Sequence, residues 1–89
     1  MAWKISFSDV AIKEMKKLDR HEQELILSYL HERIDGCTDP RTYGDPLQHN
    51  LQGIWRYRVG KYRILCELVD DVVTVYIVKI DHRRSVYVR

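Results

Sequence analysis

Eighty-nine residues make one domain with no room for a second, and at that size folding removes only about 60–65% of the unfolded chain's surface from water, enough for one thin core. A hydrophobic share of 45% and a charged share of 31% exclude a disordered chain, and no apolar run approaches the ~18–20 residues of a membrane helix. The formal charge of +2 hides an asymmetry: residues 1–54 carry seven Lys and Arg against nine Asp and Glu, whereas residues 55–89 carry eight against four. Basic charge gathered in one part of a small chain is the distribution of a surface that meets a polyanion.

The opening "MAWKISFSD" lacks the apolar centre of a signal peptide, so the expected location is the cytoplasm, with no membrane partner. Within it "WKISF" (3–7) alternates and reads as a short strand. Ser8 is placed to cap the helix that follows, "DVAIKEMKKL" (9–18), where Val10, Ala11, Met15 and Leu18 recur at helical spacing. Asp19 opens a second helix with Glu22 at the D-x-x-E spacing of a capping box. Leu25, Ile26, Tyr29, Leu30 and Ile34 form its apolar face, and Gly36 supplies the stop. The segment "CTDPRTYGDP" (37–46) holds both prolines and reads as irregular.

Three strands then follow: "IWRYRV" (54–59), a turn at Gly60, "YRILCELV" (62–69), a turn at Asp70 and Asp71, and "VVTVYIVKI" (72–80). The expected class is α+β: a small antiparallel β-sheet in the order β-α-α-β-β-β, with the helical hairpin packed on one face. Cys37 and Cys66 lack metal or redox spacing and read as reduced thiols, Cys66 as a small core residue. His21, His31, His49 and His82 show no metal-ligand spacing, and no metal or other cofactor is expected.

With helices on one face, the two-residue period of the strands decides what the other face presents. Tyr62, Ile64, Cys66 and Leu68 make a continuous apolar face that belongs to the helices. Arg56, Arg58, Lys61 and Arg63 then gather on the open face, with Glu67 as the nearby neutralising charge. A purely structural sheet interleaves opposite charges across strands. If the last strand pairs antiparallel to "YRILCELV", the tail "DHRRSVY" emerges beside Lys61 and Arg63. His82 and Tyr87 then add groups able to hold or transfer protons to a cationic cluster that Arg83 and Arg84 extend.

The segment "GDPLQHNLQGIWRYRVGKYRILCEL", followed by "VVTVYIVKIDHRRSVY", resembles the RelE/ParE superfamily of bacterial type II toxins, in its RelE-like branch. The resemblance covers essentially the whole chain. It implies a ribosome-dependent mRNA endonuclease whose partners are the ribosome, mRNA and a cognate antitoxin. It makes Arg63 and Arg83 the transition-state arginines, and it puts Arg56 and Arg58 where the RelE prototype has two lysines that contact substrate. Tyr87 matches a C-terminal tyrosine implicated in proton transfer and base stacking. His82 aligns with a position that is lysine or histidine in relatives, and Lys61 and Arg84 complete the RNA-binding set. The ParE-like branch implies the alternative, inhibition of DNA gyrase by binding without RNA cleavage. A non-catalytic nucleic-acid module is a third reading, weakened because no helix-turn-helix or paired-aromatic RNA motif is present.

The implied reaction needs no metal. The 2′-hydroxyl of the RNA attacks the adjacent phosphate, leaving a 2′,3′-cyclic phosphate and a 5′-hydroxyl. Arginines aimed at the phosphoryl oxygens stabilise the added negative charge. Arginine stays protonated at any physiological pH, so Arg56 and Arg58 cannot take over acid or base work from lysines. That work falls to His82, Tyr87, Lys61 or Asp45.

Overall fold

A computed structural model describes residues 2–47 and 53–82. Among these residues the elements run β1 (Lys4–Phe7), α1 (Asp9–Lys16), α2 (Arg20–Tyr29), β2 (Asp45–Pro46), β3 (Ile54–Val59), β4 (Tyr62–Val69) and β5 (Thr74–His82). The strands form one sheet in the order β1-β5-β4-β3-β2. β2 to β5 are antiparallel neighbours, as alternation and tight turns predict. β1 instead pairs parallel to β5, from Lys4 opposite Thr74 to Phe7 opposite Ile77, so the sheet is mixed. A parallel pair needs a long crossover, and everything from α1 to β4 serves as one. The alternation of "WKISF" reveals a strand but not its neighbour.

Ser8 caps α1 by accepting from the Ala11 N–H at 3.0 Å. The helix buries Ala11 completely, and its basic residues Lys13 and Lys16 sit in the last turn, where the helix dipole favours them. The Asp19 carboxylate caps α2 through the Glu22 N–H at 2.9 Å, as the D-x-x-E spacing predicts. Gln23 fixes the hairpin angle: its Nε2 donates to the carbonyls of Met15 at 2.7 Å and Leu18 at 3.1 Å. Those carbonyls lie at the C-terminal end of α1, where the Met15 carbonyl also accepts from the Leu18 N–H at 3.1 Å.

α2 runs on into a π-helical turn, Leu30–Ile34, closed by the Asp35 N–H on the Leu30 carbonyl at 2.8 Å. Ile26, Leu30 and Ile34 are buried along this line, each side chain contributing about 1.5–3 kcal/mol relative to exposure. Leu25, expected on the same face, is 41% exposed. Under the helices lie Tyr57, Val59, Ile64, Cys66, Val75, Ile77 and Ile80. Burial pushes the Cys66 thiol up to about 12, in keeping with a core residue rather than a reactive one.

The 37–46 segment is more ordered than its composition suggests. Asp39 caps a 3₁₀ turn, Pro40–Thr42, and the Pro40 carbonyl accepts from the buried Tyr57 hydroxyl at 2.7 Å. Arg41 makes a two-pronged contact with the Asp70 carboxylate at 3.1 and 3.0 Å, tying the segment to the β4–β5 turn. The Tyr43 carbonyl accepts from Trp55 Nε1 at 2.7 Å, and β2 adds Asp45 and Pro46 to the edge of β3.

Gly44 makes this approach possible. Its φ is +76°, and a Cβ there would overlap the Arg56 carbonyl and the Trp55 indole. Gly36, with φ +81°, has open space around it. Gly36→Ala should therefore cost about 1 kcal/mol of unfolding free energy in urea titration, and Gly44→Ala at least about twice that. Equal losses would mean that the segment does not pack closely on β3.

Candidate functional site

The turn at Gly60 joins β3 and β4 as a tight hairpin whose register sets the open face. Val59 pairs with Tyr62, Arg58 with Arg63, Tyr57 with Ile64 and Arg56 with Leu65. Tyr57, Val59, Ile64 and Cys66 are buried towards the helices. Alternation therefore turns Arg56, Arg58, Arg63 and Leu65 to the other face. Arg58 and Arg63 stand directly opposite each other across the strand pair, with Lys61 in the turn beside them. A hollow of about 30 Å³ is lined by Arg58, Gly60, Lys61, Tyr62 and Arg63. Two guanidinium groups on directly paired positions repel, which is an arrangement that favours an anion between them.

The compensating charges differ from the sequence expectation. Glu67 pairs with Ile54 and Tyr76, four residues along β4 from Arg63 and so about 13 Å away. Two other carboxylates come closer in the pairing. Asp45, on β2, is the register partner of Arg56 and lies 3.3 Å from its Nη2. Asp81, on β5, is the register partner of Arg63 on the side away from Arg58. Arg56 is largely covered: its side chain is 17% exposed, and its buried Nε has no hydrogen-bond partner among the described residues. Arg58 and Lys61 are exposed and Arg63 is half-buried.

β5 runs antiparallel to β4 and ends beside the start of β4, as expected for the tail. It extends to His82, beyond the Ile80 limit of the sequence reading, and begins at Thr74 after a 3₁₀ turn over Asp70–Val72. His82, however, does not join the arginine face. It is the register partner of Tyr62 and meets that ring edge-on, 5.2 Å between centroids at 89°. Tyr62 belongs to the helix side, where burial, and then the Glu22 and Asp19 carboxylates, raise its phenol above the usual value.

A bulge explains the change. Cys66 pairs with Ile77 but Leu65 pairs with Lys79, so Val78 is an extra residue on β5. It reverses the alternation: Val75 and Ile77 point inward before it, Ile80 and His82 after it. A strict two-residue period carries no signal for such a step. Arg83, Arg84 and Tyr87 lie outside the described residues.

A β-α-α-β-β-β-β chain with a helical hairpin on one sheet face and arginines paired across the other has the architecture of RelE-type toxins. Structural comparison gives a TM-score of 0.83 and 26% identity to a chain of the RelBE2 toxin–antitoxin complex from Mycobacterium tuberculosis, covering 93% of this chain and all of that one. A mutant E. coli RelE toxin in the free state matches at TM-score 0.77 and 22% identity, over 99% of this chain and 90% of that one. Among curated proteins, Toxin RelG of M. tuberculosis is 29% identical over the full length of both chains. The family model described as ParE toxin of the type II toxin–antitoxin system, parDE, matches residues 5–87. The protein belongs to that family, and is a toxin of the RelE/ParE superfamily of type II toxin–antitoxin systems.

The Asp45–Arg56 pair makes a prediction of its own. Asp45→Asn should free the Arg56 guanidinium and strengthen binding of a short single-stranded RNA by about 2- to 5-fold at low salt. Binding by fluorescence anisotropy that stays unchanged would mean that the Asp45–Arg56 pair does not control how this face meets an anion.

Proposed function

We propose that this toxin arrests translation by cutting mRNA at the ribosome, through metal-independent attack of the RNA 2′-hydroxyl on its own phosphate. The observation that carries the proposal is the Arg58–Arg63 pair on the open sheet face, beside the end of β5 from which Arg83 and Arg84 follow. The likeness to proteins named RelE and RelG supports the same reading. Arg63, with Arg83, would hold the phosphoryl oxygens as charge builds on them. Arg58, Lys61, Arg56 and Arg84 would hold the RNA backbone.

Proton transfer needs a group other than these arginines. His82 shares the helix-side face with Tyr62, which favours Tyr87, Lys61 and Asp45 over it. Neighbouring cations lower a phenol's pKa, so Tyr87 within reach of Arg63 and Arg83 would be a workable base. The second reading, a gyrase-binding toxin, is favoured by the ParE description of the matching family. It gives no use to arginines converging on one phosphate.

Inducing the protein and mapping RNA 5′ ends separates the two readings. New ends confined to translated messages support cleavage at the ribosome, and arrest with intact messages supports the gyrase reading. In single-turnover assays on programmed ribosomes, Arg63→Ala or Arg83→Ala should slow cleavage by ~10²-fold or more, about 3 kcal/mol of transition-state stabilisation, with much smaller effects on ribosome binding. Wild-type rates in both variants would remove the assignment.

The partner we propose is a cognate antitoxin, as in the solved complexes of RelE relatives with RelB. A groove of about 250 Å³ between β1, α1 and α2 is lined by Phe7, Ile12, Met15 and Leu27, with Lys16 and Gln23 also on its wall. Ile12 and Leu27 are 40% and 46% exposed. An antitoxin segment with one apolar and one acidic face suits this surface and the basic sheet together. Leu27→Glu should weaken antitoxin binding at least ~10-fold in calorimetry without lowering toxin stability, since the side chain is half in solvent already. Affinity should also fall as salt rises. An affinity indifferent to salt and to Arg58→Glu would confine the contact to the groove.

A further inference from the structure

β1 ends at Phe7, opposite Ile77, so beyond that point β5 has no strand on its outer edge among the described residues. Residues 78–82 would leave their outward backbone groups to solvent at the place where the strand carries Asp81 to Arg63. α1 fills the gap with side chains. The Ser8 N–H donates to the Ile77 carbonyl at 2.8 Å, and the Ser8 hydroxyl donates to the Val78 carbonyl at 3.0 Å. Six residues further along, Glu14 uses its two carboxylate oxygens on two different donors. Oε1 accepts from the Ile80 backbone N–H at 2.7 Å, and Oε2 accepts from Lys79 Nζ at 2.9 Å. The Glu14 side chain is 23% exposed and partly shielded from water, which strengthens both charge-assisted bonds.

We propose that Glu14 is a positioning residue for the arginine face: its carboxylate stands in for a missing edge strand and sets where the end of β5 leaves the sheet. The proposal rests on the reading of the Arg58–Arg63 face as the working surface. The physical argument is one of register. The Val78 bulge reverses the inward–outward alternation just before Ile80, and bulged strand ends are held less firmly by ladder bonds alone. Anchoring the Ile80 N–H immediately past the bulge fixes the new phase, which keeps Asp81 beside Arg63 and His82 beside Tyr62. Gln at position 14 keeps an acceptor for the Ile80 N–H but loses the ion pair with Lys79. Ala loses both.

The test is amide hydrogen exchange read by NMR together with activity, on the wild type, Glu14→Ala and Glu14→Gln. In Glu14→Ala the Ile80 amide should exchange at least ~10-fold faster, while the Ile64 and Cys66 amides on β4 slow or quicken by less than ~3-fold. Glu14→Gln should restore most of the protection. Single-turnover cleavage at saturating toxin should fall at least ~10-fold in Glu14→Ala and recover most of that in Glu14→Gln, with ribosome binding little altered in either. Ile80 exchange in Glu14→Ala equal to wild type overturns the clamp. Faster exchange with an unchanged cleavage rate overturns the positioning role. Should the wild type prove not to cleave RNA, the nuclease reading falls, and growth arrest in induced cells takes the place of cleavage. Arrest lost in Glu14→Ala and kept in Glu14→Gln then supports the positioning role, and equal arrest in both overturns it. A Glu14→Ala protein whose β4 amides also exchange much faster is globally destabilised; Lys79→Met and Glu14→Gln then decide, since normal Ile80 exchange and activity in both support the backbone bond as the anchor, and losses in both overturn it.

Discussion

β5 is the strand on which the rest of the structure depends. It pairs parallel with β1, antiparallel with β4, and beyond Ile77 it is held by Ser8 and Glu14 of the α1 segment. The first strand and the last thus lie side by side at the edge, and the chain between them must close over one face. That closure buries Ile26, Leu30 and Ile34 against Tyr57, Ile64, Cys66 and Ile77. It also leaves the arginines to the opposite face, where Arg58 and Lys61 stay exposed to water and Asp45 compensates the more covered Arg56.

Charge on that face is organised by carboxylates that come from distant parts of the chain. Asp45 meets Arg56 from β2, and Asp81 flanks Arg63 from β5. These partners lower the repulsion among the arginines while leaving Arg58 and Lys61 exposed. The result is graded: one arginine largely covered and paired, two directly opposed, one lysine at the turn. Such grading leaves a net positive potential over the exposed part of the face while its most crowded cations are partly neutralised. The apolar groove between β1, α1 and α2 lies on the other side of the sheet from this set, so two partners of different chemistry can address two faces.

The helices show how local and long-range effects divide the work. Ser8 and Asp19 act as caps that spacing alone reveals. Ser8 is also bonded to β5, and Gln23 reaches back to the end of α1. The same side chains therefore start or stop helices and hold them to their neighbours. Leu25 fits the periodic apolar face but lies partly in solvent near the Gly60 turn, while its neighbour Ile26 is fully buried.

Taken alone, the sequence determined the order of the two helices and the four longer strands, both helix caps, the β3–β4–β5 meander and the face on which Arg56, Arg58 and Arg63 stand. Each of these rests on short-range periodicity or on a turn between neighbours, which the chain encodes locally. Only the tertiary structure decided the parallel β1–β5 pair, the short β2 edge, the Asp45 and Asp81 partners and the side on which His82 lies. Those depend on contacts between residues far apart in sequence and on a single bulge at Val78. One inserted residue inverts every side chain beyond it, and no pattern within the strand announces it.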